Sequence, residues 1–174
     1  MDSLHSMAVY FNYSTRCKEL FKFAIVADFA PIRLKTDIST TRVSARYFLI
    51  DSVLRVHKGL LLYKAANTGA KKKEQVPWKL SEDDLVTAAE FLAVLESSSA
   101  VATLAQTEVK FTSALSVPLL ERMMEDFRSP TIQVVDLANV TASPKMPRIS
   151  KEVQNMTAVG QEALRRATLE AERR

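Results

Sequence analysis

Apolar positions along the chain recur mostly at intervals of three and four residues, the signature of helices with one buried face. From about Leu4 to Ala27 the stripe runs through Val9, Tyr13, Cys17, Leu20 and Ala24, and Pro31 closes it, which predicts one long helix. A second run starts near Thr41 and carries Val43, Tyr47, Ile50, Leu54, His57 and Leu61 on one face, with Leu49, Val53, Val56, Leu60 and Tyr63 beside them. So wide a face predicts a helix buried on two sides. Arg42, Arg46, Asp51, Arg55 and Lys58 take its remaining positions, and Asp51 with Arg55 forms an i,i+4 pair worth about 0.3 kcal/mol.

Residues 67–78, "NTGAKKKEQVPW", read as a loop, because glycine, proline and like charges accumulate there without a period. The next helix is the best signed of all. Ser81 stands as N-cap with Asp84 three residues on, Glu82 and Asp83 favour the helix dipole, and Leu80 can staple to Leu85. Leu85, Ala88, Leu92, Leu95 and Ala102 carry its stripe towards about Glu108, and the small residues of "ESSSAVATLA" allow close approach by a neighbour. Leu115, Ser116 and Leu120 repeat the staple-and-cap pattern, with Pro118 in the first turn of a helix that ends before Pro130. "TIQVVDLANV" suits either a short strand or a helix, and "TASPKMPR" reads as a linker. The final stretch from "SKEVQNM" onward is expected to be a charged helix whose apolar face thins beyond Val159, so that its last turns project or fray. The expected organisation is a helical unit over 1–128, a connecting segment over 129–148 and a C-terminal helix over 149–174.

Composition sharpens this picture. With 174 residues, 47% of them hydrophobic and 25% charged, the chain can fill one ordinary core without a disulfide or metal staple. Only three glycines are present, and hairpins and parallel sheets consume glycine at their turns, so an all-α multi-helix fold is expected. Cys17 is the single cysteine, which points to a structural thiol in a reducing, intracellular compartment. No apolar stretch is expected to reach the roughly 20 residues that span a bilayer, and the opening "MDSLHSMAVYF" lacks a basic leader segment. A formal charge of +4 is compatible with a nucleic-acid partner, although both signs interleave along most of the chain.

Chemistry is sparse. His5 and His57 fall in different elements without metal-pair spacing, and His57 reads as a core histidine with one satisfied nitrogen. No glycine-rich phosphate loop, nucleophile elbow or dinucleotide fingerprint occurs. The acids of "EDD" at 82–84 are accounted for by a helix N-terminus, and those of "MMEDF" at 123–127 by an amphipathic face. The expectation is therefore no catalytic residue, no metal, no cofactor and no small-molecule substrate.

The order of elements nonetheless resembles a known family. "VYFNYSTRCKELF", a short linker into "TDISTTRVSARYFLIDSVLRV", and then "LSEDDLVTAAEFLAVLESSSAVATLAQTEVKFTSALSVPLLERMMEDF" resemble the central part of hAT-family transposases, the hobo, Ac and Tam type. The resemblance covers roughly Tyr10 to Phe127. It implies that Thr41, Arg42 and Ser44 occupy the family's Thr-Arg-Trp-x-Ser junction, where a helical insertion leaves the RNase H-like core close to transposon-end DNA.

Departures shape the functional expectation. Val43 stands where the family has tryptophan, and valine has no aromatic face to stack on an unpaired base. The family's two catalytic aspartates, its glutamate, its BED zinc finger and its C-terminal dimerisation segment have no counterpart in this sequence. The resemblance thus implies a transposase-derived, catalytically inactive helical protein, nuclear by analogy, with weak and non-specific contact to the DNA backbone. Arg42, Arg46, Lys71, Lys72 and Lys73 are the candidate contacts. Lys71–Lys73 read equally as a solvated loop, and the two arginines as solvated or paired with Asp37 or Asp51. The alternative function is a helical protein-interaction module, with self-association through exposed apolar helix faces.

Overall fold

A computed structural model of the chain describes residues 2–36, 43–67, 80–107, 113–143 and 145–173. Among them are seven α-helices, a two-stranded antiparallel hairpin and one short 3-10 turn. The all-α expectation holds for the bulk of the chain and is corrected by the hairpin.

The first predicted helix is two: α1 (Asp2–Phe11) and α2 (Ser14–Val26). In α1 the buried residues are Met7, Ala8 and Phe11, whereas Val9 and Tyr13 of the predicted stripe are exposed. In α2 the predicted Cys17, Leu20 and Ala24 are buried. Phe11 and Cys17 lie about 120° out of phase on a continuous helix, so only a break lets both stripes reach the core. Asp28 then adopts φ 59°, and the Phe29 amide reaches back to the Ala24 carbonyl at 2.8 Å, a left-handed helix end that usually takes glycine.

The second predicted helix also divides, into α3 (Val43–Leu54) and α4 (His57–Asn67). At the break His57 Nδ1–H donates to the Leu54 carbonyl at 2.8 Å, satisfying a backbone acceptor that the helix leaves free. Burial holds the imidazole pKa below its ordinary 6.5 and outweighs the Leu54 and Leu137 carbonyls, which favour the charged ring. The reading of His57 as a core residue is borne out. Gly59 lets α4 press on α2: a Cβ there would lie 2.9 Å from the Ala24 Cα.

α5 (Glu82–Thr107) runs through the middle of the molecule, packing on α3, on the hairpin and on the two helices that follow. Its predicted capping box is present. Asp84 N–H donates to Ser81 Oγ at 3.1 Å, and Ser81 N–H donates to Asp84 Oδ2 at 2.9 Å. These bonds hold the Asp84 carboxyl below its usual range. Leu80 and Leu85 are both buried, as a staple requires. One expectation is corrected: Glu82–Leu104 is long and apolar enough, by length and composition, to cross a bilayer. Its buried face of Leu85, Ala88, Ala89 and Leu92 also belongs to the hydrophobic core.

α6 (Ser113–Arg128) begins three residues before the predicted Ser116 cap, so Pro118 sits inside the helix rather than in its first turn. It cannot supply the amide that Ala114's carbonyl would otherwise accept. The ambiguous segment is a strand, β1 (Thr131–Val135), whose partner β2 (Arg148–Glu152) is drawn from residues expected to be linker and helix. Val134 pairs with Ile149 in the register, and Ile132, Val134 and Val135 enter the core. α7 (Ala158–Glu172) is shorter than predicted and does not project. Leu164 is buried, Ala167 and Ala171 pack on the core, and Glu172 meets Arg128 at 3.0 Å.

Candidate functional site

Between α2 and α3 the chain runs as a strap of irregular backbone over residues 29–36, with a tight turn where the Ile32 amide donates to the Ala30 carbonyl at 2.8 Å. Its period is two: Ile32 and Leu34 turn inward, while Arg33 and Lys35 stand in solvent. The Lys35 amide donates to Ser52 Oγ at 3.1 Å, and that hydroxyl donates to the Leu49 carbonyl at 2.8 Å, which fixes the strap to α3. Arg46 is exposed on α3. Among the described residues Arg33, Lys35 and Arg46 have no ion-pair partner, and every ion pair lies within residues 51–173. Arg42, Lys71, Lys72 and Lys73 lie outside the described residues. Of the junction residues, Ser44 is buried and Val43 exposed.

A groove of about 490 Å³ borders α3. Tyr47, Asp51 and Arg55, spaced four apart, line one wall; Glu96, Gln133 and Arg148 line another. Arg55 Nε pairs with Asp51 Oδ2 at 2.8 Å, and Arg148 grips Glu96 through two contacts of 3.0 Å. Burial pushes the Tyr47 phenol above 10.0, with Glu96 and Asp51 adding to the effect. The groove is polar: its two arginines are committed to carboxylates, its phenol stays protonated, and Lys145, which also lines it, is exposed and has no ion-pair partner among the described residues. Arg46 is not among its lining residues.

The most enclosed charge is elsewhere. Glu90 of α5 has 0% exposure, and its carboxylate accepts from Lys151 Nζ at 2.7 Å, from Thr157 Oγ1 at 2.6 Å and from the Thr157 amide at 3.1 Å. Thr157 Oγ1 in turn accepts from the Gly160 amide at 3.0 Å and caps α7. A Cβ at position 160 would overlap the Glu90 carboxylate. Other acids are similarly engaged, for Asp84 caps α5 and Asp126 accepts from Ser97 Oγ at 2.5 Å. Among the described residues no group of three His, Cys, Asp or Glu side chains could hold a metal ion.

Sequence reasoning singled out Arg46 but missed Arg33 and Lys35. The alternation in "PIRLKT" carried the signal, since basic residues between inward-facing apolar ones must point outward. No protein-family model, no curated protein and no solved structure matches the chain.

Proposed function

We propose that this chain is a non-catalytic helical binding module of hAT-like descent that meets a nucleic-acid backbone through Arg33, Lys35 and Arg46, with Arg42 continuing that set in sequence. The observation that carries the reading is the uneven use of charge. Cations beyond residue 51 mostly hold internal carboxylates, whereas those of the strap and of the start of α3 stand unpaired in solvent and are free to meet phosphates. The structural employment of Asp84, Glu90 and Asp126 supports the non-catalytic part.

Contact through these three side chains would be sequence-independent, because phosphates carry no sequence information. Three phosphate contacts predict a log–log salt slope of about −3. Fluorescence anisotropy with a labelled duplex tests this: Arg33→Ala/Lys35→Ala/Arg46→Ala should weaken binding and flatten the slope towards zero. Unchanged affinity and slope would refute the nucleic-acid reading. A protein-interaction role is the second reading, favoured by the exposure of Val117 and Leu120 on α6.

A further inference from the structure

The polar groove beside α3 holds hydrogen-bond donors that the fold does not use. Its arginines are fixed in place. Arg148 spans both Glu96 oxygens at 3.0 Å, donates from Nη1 to the Gln133 carbonyl at 3.0 Å and bonds the Tyr47 phenol oxygen, while Arg55 is held by Asp51 at 2.8 Å. Backbone bonds from the Asp136 amide to the Pro147 carbonyl and from the Val153 amide to the Pro130 carbonyl set the phase of the hairpin. They make Gln133 a non-hydrogen-bonded position whose N–H and C=O turn away from β2. Because that carbonyl receives Arg148, this edge of β1 faces the groove. The Gln133 N–H, the Gln133 side-chain amide, the Tyr47 hydroxyl hydrogen and the exposed Lys145 ammonium have no partner among the described residues. Each can donate. Burial keeps the phenol protonated, so it donates at neutral pH as well. Two arginines and a lysine against two carboxylates leave the groove with a single positive charge in excess. Met146, 5% exposed, and the Tyr47 ring supply the apolar part of the lining.

We propose that this groove binds a small carboxylate with a compact apolar or aromatic body, its oxygens taking Lys145, the Gln133 N–H and the Tyr47 hydroxyl while the body lies on Met146. The charge balance selects the ligand. One negative charge is what the groove can match, whereas a phosphate monoester carries close to two at neutral pH and would set the second beside Asp51 and Glu96. An ammonium would meet a lysine and two arginines. The volume of about 490 Å³ is within the range of small-molecule sites and holds such a body with room for water. None of Arg33, Lys35 and Arg46 lines the groove, so the site is separate from the nucleic-acid set.

The test is a titration of the full chain with sodium benzoate at constant ionic strength, followed by amide proton–nitrogen correlation spectra. Shifts should saturate with Kd on the order of 1 mM and concentrate at the Gln133 backbone and side-chain amides and at the Lys145 and Met146 amides. Lys145→Gln and Tyr47→Phe should each raise Kd at least about threefold, and the double variant at least about tenfold, with the rest of the spectrum in place. Benzylammonium, of similar shape and opposite charge, should move none of these signals. Inorganic phosphate should bind at least about fivefold more weakly than benzoate. Absence of saturable shifts at Gln133, an equal response to benzylammonium, or a Kd unchanged in the double variant each overturns the proposal. Phosphate binding at the same residues as tightly as benzoate overturns the assignment of a carboxylate. Arg33, Lys35 and Arg46 are intact in every variant, so failure here leaves the nucleic-acid reading standing.

Discussion

The two ends of the molecule reach the same core by different means. The N-terminal helices pack through apolar and aromatic groups: the Phe11 and Phe23 rings meet Tyr63 edge-on at 4.9 and 5.6 Å, and Arg16 lies over Tyr10 at 3.9 Å. The C-terminal hairpin and α7 lean instead on charge, with Lys151 on Glu90, Arg148 on Glu96 and Arg128 on Glu172. The difference teaches where cations are spare. The region held by rings and close backbone contact leaves Lys18, Lys22, Arg33, Lys35 and Arg46 without an ion-pair partner among the described residues, whereas the region held by ion pairs engages most of its cations within the chain.

The comparison breaks most sharply at Glu90. Glu90→Ala removes the shared acceptor of half-buried Lys151 and Thr157 and leaves a void in α5's buried face, and should cost about 1–3 kcal/mol in chemical denaturation, because the donors left behind lose their partner. Hydrogen exchange should show α7 losing protection before α4 does. Gly59→Ala probes the other end. The new methyl forces α2 from α4 and should cost about 1–3 kcal/mol, with exchange rising first in those two helices.

Acidity gives a smaller effect. The folded pKa of His57 lies below its unfolded value, so its contribution is fully present above pH 6.5 and is lost as pH falls below that value towards the folded pKa. Stability of wild type should decline across that window before the carboxylates titrate, and His57→Gln should flatten the decline. An identical slope in the variant would assign the titration to another group. The smallest change is expected at Asp28→Gly, which relieves a left-handed backbone and should stabilise by about 1 kcal/mol or less, read as a higher Tm.

What was legible in the sequence was local. The Ser81–Asp84 box spans three residues and needs no tertiary information, so both its bonds could be foreseen. The break at residues 55–56 could not, because an apolar run wide enough to bury α3 and α4 on several sides carries no phase from which to read a change of direction. Strand β2 was hidden for a similar reason. "RISKE" takes its conformation from pairing with β1 rather than from its own pattern. Of the candidate site, Arg46 was visible as a cation on a helix, while the polar groove was not, since Tyr47, Glu96 and Arg148 are distant in sequence and meet only in the fold.

The buried clamp also sets a timetable for synthesis. Glu90 leaves the ribosome ahead of Lys151 and Thr157 by sequence separations of 61 and 67 residues. Until they emerge, α5 can cap itself and lie against α3, yet its central carboxylate must stay in water, because burying it alone would cost several kcal/mol. The flank of α5 that later receives the hairpin and α7 is thus the last surface of the nascent chain to close, and translation must reach Thr157 before it can.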